Sequence, residues 1–188
     1  MIYGKIDLVV KYLGEGIFPK SFGLVNGKYE WTGKVNPANV KIKGHGISSI
    51  ARDVAQFVGE RLFADRPIHI EIIKDSTIGS KHGAEGASST NKEGTHTQVY
   101  INTKKVKTAE GIVSVVSHEL VHAWQRRNGG PEPNKDIPHE KRPEEIHARR
   151  SSELLAGEFI IKHGSKHGIK APDWQNNEKY FKSSFEGL

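Results

Sequence analysis

The run His-Glu-Leu-Val-His at residues 118–122 constrains this chain more than any other feature of its sequence. The surrounding residues predict a helix, because apolar side chains recur on one stripe at about 100° per residue: Ile112, Val116, Leu120 and Ala123. Residues four positions apart on a helix lie one turn apart on the same face, so His118 and His122 can bind one metal ion together. Glu119 is turned about 100° from His118, where it can reach a water molecule without being a ligand.

Both ends of this helix carry sequence signals. Thr108 is a candidate N-cap, and Glu110 places a carboxylate in the first turn. Arg126 and Arg127 fall in the last turn, and the run Gly129-Gly130-Pro131 ends the helix. The two histidines therefore lie well inside a helix that has a defined start and a defined end.

The composition limits how a metal ion could be held. The chain has 188 residues and no cysteine, so only His, Asp and Glu can be ligands, and thiol catalysis and disulfides are excluded. A hydrophobic content of 35% with 27% charged residues is typical of a soluble globular protein. Because charges interrupt the first twelve residues, we expect no signal peptide there, and no later run is long and apolar enough to predict a membrane span. A cytoplasmic location is therefore expected.

The formal net charge is +6, and the basic residues form scattered clusters: Lys104-Lys105-Lys107, Arg126-Arg127, Lys141-Arg142 and Arg149-Arg150. No aromatic-rich strand or recognised nucleic-acid motif accompanies them. The pattern favours a solvated basic surface over a nucleic-acid footprint.

Outside the histidine motif, the sequence divides into two parts. Residues 2–43 read as short strands, with a hairpin turn at Asn26-Gly27. A break at residues 43–46 separates a β-rich N-terminal section, 1–44, packed on the core, from a main domain, 45–188.

The main domain has a simple predicted order: helix 47–63, strand 68–73, loop 74–95, strand 98–102, the motif helix, a proline-rich loop 128–141, and a helix from Pro143 to about His163. His69 and Glu71 alternate with apolar residues, so they are assigned to a solvated strand face rather than to a ligand set. Residues 164–188 are expected to pack on the surface of the core.

This order of elements around H-E-x-x-H resembles the zincin metallopeptidases, most strongly over residues 67–162. The resemblance implies an α+β fold, a zincin-like metallopeptidase domain in which a small twisted sheet has an edge strand over the cleft. The motif helix is followed in that fold by a helix carrying a further ligand. The resemblance also implies that residues 97–102 form the edge strand and take up substrate backbone by strand addition.

A catalytic zinc ion takes three protein ligands and keeps one open position, so a third ligand is needed. The metzincin pattern is excluded, because it requires glycine at position 125 and histidine at position 128, where the chain has Gln125 and Asn128. The other common solution is a glutamate within E-x-x-A/S-D/N on a following helix. Glu145 with Ala148 fits that pattern, although Arg149 replaces the usual acid or amide.

Helix geometry also favours Glu145, because small side chains share its face and let another helix approach: Ala148, Ser152 and Ala156. Three alternatives for the third ligand stay open: Glu144, His139 and His147. A histidine third ligand would make the chain more similar to SprT-like proteases. A glutamate makes it more similar to the gluzincin and ImmA/IrrE-type peptidases.

With His118, His122 and Glu145 as Zn²⁺ ligands, the resemblance implies a zinc-dependent metallopeptidase acting on a protein or peptide substrate. Glu119 would be the general base toward a zinc-activated water. Candidates for stabilising the oxyanion are also present: His147, His163, His167 and Tyr180. Two other functions remain open, a DNA-associated SprT-like protease and an inactive metal-binding interaction module.

Overall fold

The structure, a computed structural model, describes residues 22–25, 28–77, 84–130 and 136–170. These ranges contain six strands: β1 Phe22–Val25, β2 Lys28–Trp31, β3 Val40–Lys43, β4 Ile68–Lys74, β5 Gly86–Thr90 and β6 His96–Ile101. They also contain three α-helices: α1 Ser49–Leu62, α2 Ala109–Arg127 and α3 Pro143–His163. No helix in the described ranges is long and apolar enough to cross a membrane.

Four strands form one mixed sheet in the order β3-β4-β6-β5. β3, β4 and β6 are parallel, and β5 runs antiparallel to β6. Helix α2 packs against α1, α3, β5 and β6. The predicted α+β class is therefore confirmed.

Strand β4 shows why the sheet has one buried and one wetter face. Ile68, Ile70 and Ile72 are buried, whereas the intervening His69 is exposed. The carboxylate of Glu71 accepts a hydrogen bond from Gln98 on the neighbouring strand. The alternation and this contact agree with the assignment of His69 and Glu71 to a strand face outside the ligand set.

Helix α2 begins where the capping residue predicts. The Thr108 hydroxyl accepts a hydrogen bond from the backbone N–H of Gly111, which satisfies a donor that the first turn leaves unpaired. The helix ends at Arg127, and Gly129 adopts a left-handed conformation with φ of +70°. Apolar residues beyond the predicted stripe, Val113 and Val121, are fully buried as well. The motif helix therefore runs through the interior rather than along the surface.

Helix α3 has the predicted bounds, from Pro143 to His163. Its C-terminal half is held by Glu158, which is 4% exposed and forms an ion pair with Arg61 of α1 at 3.0 Å. The same carboxylate accepts a hydrogen bond from the backbone N–H of Trp31 in β2. One buried carboxylate thus joins α3 to α1 and to the N-terminal hairpin.

The N-terminal section contributes directly to the core sheet. β1 and β2 pair antiparallel with Val25 opposite Lys28, as a hairpin requires, while the predicted turn residues Asn26-Gly27 lie outside the described ranges. β3 pairs with β4 and so adds a strand to the four-stranded sheet. Residues 1–21 and 171–188 also lie outside the described ranges.

The prediction for the edge strand is wrong. Residues 97–102 fall on β6, which pairs with β4 on one side and with β5 on the other and is therefore internal. The strand at that edge of the sheet is β5, which lies within the predicted loop 74–95 and packs against α2. Segment Gly86–Thr90 lacks apolar alternation, so pairing with β6 rather than a local pattern makes it a strand.

Candidate metal centre

The structure brings His118, His122 and Glu145 together where α2 meets the first turn of α3. The Nε2 atoms of the two histidines are 3.1 Å apart. Glu145 places one carboxylate oxygen 3.4 Å from His118 Nε2 and the other 3.3 Å from His122 Nε2. Three potential ligand atoms therefore converge on one point from two helices.

The residue types of this cluster match the donor set of a zinc ion. Nitrogen and oxygen ligands lie about 2.0–2.2 Å from zinc, so neighbouring ligands of a tetrahedral ion are about 3.3–3.6 Å apart. The two histidine Nε2 atoms, 3.1 Å apart, are close to that spacing, and each has a different Glu145 oxygen at 3.3 or 3.4 Å. His118 is partly exposed, whereas His122 and Glu145 are buried.

His122 and Glu145 shift each other's pKa values toward their charged forms. Burial alone would raise the pKa of the Glu145 carboxyl, but hydrogen bonds from His118 and His122 and the charges of His122 and His139 hold that pKa well below its usual range. Burial alone would lower the pKa of His122, but Glu145, Glu119 and Gln125 raise that pKa above its usual value. The carboxylate therefore stays ionised in the interior, which favours a cation beside it.

Gln125 determines the orientation of His122. Its Nε2 donates to the backbone carbonyl of Glu144 at 3.0 Å, and a carbonyl can only accept, so the amide orientation is fixed. Gln125 Oε1 therefore faces His122 Nδ1, at 2.8 Å, and Nδ1 must carry the hydrogen. The hydrogen that His122 donates to Glu145 is then on Nε2, and its loss would leave the lone pair of the neutral ring on that atom. This is the arrangement by which outer residues orient metal-binding histidines.

His147 lies behind this pair and does not reach the ligand cluster. It is 1% exposed, and its Nδ1 is 2.8 Å from Gln125 Nε2, whose second hydrogen it accepts. Burial, with the nearby His122 and Arg150, lowers the pKa of His147 to about 4. A neutral ring at this position supports Gln125 without adding positive charge near the cluster.

Glu119 lies next to the cluster on the same helix and is 7% exposed. Its Oε2 accepts a hydrogen bond of 2.7 Å from the hydroxyl of Ser88 on β5. Ser88 Oγ in turn accepts a hydrogen bond of 3.0 Å from the guanidinium of Arg126 in the last turn of α2. Glu119 thus lies close to the histidines and does not belong to the cluster of potential ligand atoms.

The alternative third ligands are placed differently. Glu144 is buried, but it does not belong to the cluster of potential ligand atoms. His139 is largely exposed, and its Nε2 contacts Glu145 at 2.9 Å rather than the two motif histidines. Among the residues described, Glu145 is therefore the one that completes a set of three with His118 and His122.

Two predicted oxyanion candidates lie far from the cluster. His163 packs against Phe57 and Phe159, and His167 is 3.1 Å from Asp53. His163 is eighteen positions beyond Glu145 on α3, which is about 27 Å along a helix. Tyr180 lies outside the described residues.

The sequence analysis did not predict the contacts that Gln125, Ser88 and Arg126 make around the cluster. Gln125 could have been found, because it is three positions after His122 on the same helix face. Ser88 and Arg126 carry no such signal, because their contact depends on β5 crossing α2. Gly86 shows how close that crossing is, since a Cβ there would lie 2.5 Å from Val115 Cγ1 and 3.3 Å from Glu119 Cγ.

Comparison with known proteins gives no relative for this chain. No protein-family model matches the sequence, and neither the curated proteins nor the solved structures contain a match.

Proposed function

We propose that this protein is a zinc-dependent metallopeptidase with a zincin-like fold, in which Glu119 is the general base. The observation that carries the proposal is the convergence of His118, His122 and Glu145, whose potential ligand atoms lie within 4.8 Å of one another, with the buried carboxylate of Glu119 on the helix of the two histidines. A structural ion pair needs one histidine and one carboxylate. The second histidine and the adjacent Glu119 are what a hydrolytic site requires in addition.

The three ligands would be His118 Nε2, His122 Nε2 and the Glu145 carboxylate. A zinc ion bound there would polarise the scissile carbonyl and lower the pKa of a water molecule to about 7. His122 contributes a lone pair in the correct direction because Gln125 holds the hydrogen on Nδ1. Two neutral imidazoles and one carboxylate leave a net positive charge on the loaded site, which suits stabilisation of an oxyanion.

Glu119 supplies the acid–base chemistry. Its carboxylate is close enough to His122 to influence the pKa of that ring. It would take the proton from the attacking water and later deliver it to the leaving amine. Ser88 occupies Oε2, and in the described part of the chain no hydrogen bond is made to Oε1. Oε1 is therefore the oxygen that would accept the proton.

Strand β5 offers a place for the substrate. It is at the edge of the sheet, beside Glu119, and its only strand partner in the described ranges is β6. An extended peptide could add to the other side of β5 by backbone hydrogen bonds, which would lay a peptide bond along the cluster. The peptide substrate would therefore pair with residues 86–90 rather than with residues 97–102.

Glu119→Gln tests this function. The substitution keeps the shape of the side chain and its capacity to accept from Ser88, but it removes the base. Zinc content and thermal stability should stay close to those of the wild type. Cleavage of a synthetic peptide library, measured by mass spectrometry, should fall by about 10²- to 10⁴-fold.

Glu110→Gln is the matched control, because Glu110 is an exposed glutamate in the first turn of the same helix. That variant should cleave at the wild-type rate. Equal cleavage by the Glu119 and Glu110 variants would refute the catalytic assignment. A zinc-loaded wild-type chain that cleaves nothing, with intact metal content, would support the interaction-module alternative instead.

A further inference from the structure

The strand–helix contact beside Glu119 contains a directed chain of three polar groups. Arg126 donates to Ser88 Oγ at 3.0 Å, and Ser88 donates its single hydroxyl hydrogen to Glu119 Oε2 at 2.7 Å. The direction is fixed because the guanidinium can only donate and the carboxylate, when ionised, can only accept. We propose that Ser88 and Arg126 are positioning residues that hold Glu119 in its working orientation, a role that rests on the function proposed above.

The first support is that the buried carboxylate has a hydrogen-bond partner. Glu119 is 7% exposed, and buried polar groups are as a rule hydrogen-bonded. Ser88 donates to it at 2.7 Å, and Arg126, whose residue is exposed, holds Ser88 by a hydrogen bond of 3.0 Å. The guanidinium therefore acts on Glu119 through Ser88 and does not contact the carboxylate itself.

The second support is that the two carboxylate oxygens of Glu119 have different roles: Oε2 binds Ser88, and Oε1 would accept the proton. Because Ser88 binds Oε2, rotation of the Glu119 carboxylate would break a short hydrogen bond. Oε1 is thereby held in one direction before a substrate arrives. Preorganisation of this kind lowers the barrier of a proton transfer, and a displacement of about 1 Å can cost about a hundredfold in rate.

The third support is the tight fit of β5 on α2. Gly86, two residues before Ser88, lies so close to α2 that a side chain there would collide with Val115 and make a tight contact with Glu119. The strand that carries Ser88 is therefore held at a fixed height above the base. The strand that orients Glu119 would also fix the position of a peptide paired with the edge of β5.

Ser88→Ala is the test, with Ser89→Ala as its matched control. Ser89 is the next residue of the same strand, is exposed, and lies on the opposite face. In the zinc-loaded protein Ser88→Ala should lower kcat for library peptides by about ten- to a hundredfold, the value of a hydrogen bond to a charged group, with KM nearly unchanged. Ser88→Thr, which restores the hydroxyl, should recover most of kcat. Zinc content should not change.

A second measurement needs neither metal nor activity. In the metal-free protein, Ser88→Ala and Glu119→Ala should have non-additive effects on the urea midpoint, whereas Ser89→Ala and Glu119→Ala should be additive. Additive effects for the first pair overturn the proposal. The positioning role also fails if Ser88→Ala has an unchanged kcat while Glu119→Gln is inactive. In that case the proposed function still stands. If Glu119→Gln is as active as the wild type, the proposed function fails, and the positioning role fails with it.

Arg126→Ala tests the role of Arg126, the outermost of the three hydrogen-bonded residues. It should lower kcat less than Ser88→Ala does, and Arg126→Lys should recover part of the loss because it keeps the charge. Arg52→Ala, which removes an exposed arginine on α1, is the control for net charge. Equal effects of the Arg126 and Arg52 substitutions on kcat would remove Arg126 from the proposal.

Discussion

The side-chain amide of Gln125 decides which ring nitrogen of His122 is available as a ligand. Gln125 is tied to the backbone carbonyl of Glu144, so its oxygen faces Nδ1 of His122 at 2.8 Å and leaves the lone pair on Nε2. The same amide contacts His147. One buried side chain therefore links the orientation of a histidine on α2 to the first turn of α3.

Gln125→Leu should weaken zinc binding. The variant removes the acceptor for Nδ1–H and frees His122 to rotate or to change tautomer, which typically costs about 10- to 100-fold in metal affinity. The measurement is a competition titration of zinc against a chromophoric chelator. Gln56→Leu, on α1 and far from the cluster, is the control and should bind zinc like the wild type. An unchanged affinity in Gln125→Leu would mean that His122 is oriented by other contacts.

Glu144→Gln and Glu145→Gln form a matched pair for the third ligand. The two residues are neighbours in the first turn of α3 and both are buried, but only Glu145 belongs to the cluster. Glu145→Gln should lose most of its zinc on dialysis, whereas Glu144→Gln should keep about one ion per chain. Metal analysis by mass spectrometry distinguishes them. The reverse result would move the ligand to Glu144.

Glu158 should make the fold sensitive to acid. Burial alone would raise the pKa of its carboxyl, but Lys162 and Arg61 lower that pKa below its usual value. Since the folded-state pKa lies below the unfolded one, this stabilisation is full above the unfolded value of about 4.3 and is lost as the pH falls below it. Glu158→Gln should cost about 3 kcal/mol at neutral pH and should flatten the acid part of the stability profile.

Urea unfolding at pH 7 and at pH 3.5 measures both effects. Glu153→Gln, an exposed glutamate on the same helix, is the control and should change the free energy of unfolding little. If Glu158→Gln loses as much stability on acidification as the wild type does, another carboxylate is responsible for the acid sensitivity.

The basic clusters should not make this chain a tight DNA-binding protein. The side chain of Arg127 is fully buried over Phe63 and donates to the carbonyl of Arg66, and Arg126 is engaged with Ser88. Binding to a generic duplex at physiological salt should therefore be no tighter than about 10⁻⁴–10⁻⁶ M. Fluorescence anisotropy over a salt series is the measurement. A much tighter complex with a steep salt slope would favour the DNA-associated alternative.

Local sequence signals predicted the bounds of the helices well. Contacts between residues far apart in the sequence could not be predicted from such signals. Thr108 and Gly129 mark the ends of α2, and Pro143 begins α3, because capping and proline chemistry act within a few residues. Glu145 was preferred over Glu144 on its partial match to E-x-x-A/S-D/N and on helix geometry, and it is the one in the cluster. Ser88 was hidden in a segment of small polar residues whose strand forms only by pairing with β6.

The site is assembled from parts that are far apart along the chain. The histidine pair belongs to one helix and can form early, but Ser88 lies 31 positions before Glu119 and joins only when β5 docks. Glu145 arrives from a helix that follows the proline-rich loop. Contacts of such sequence separation are made late in folding, after loop closure has been achieved. Glu145 can bind zinc only after α3 has packed on α2. The rate of zinc binding during refolding should therefore equal the rate at which α3 packs.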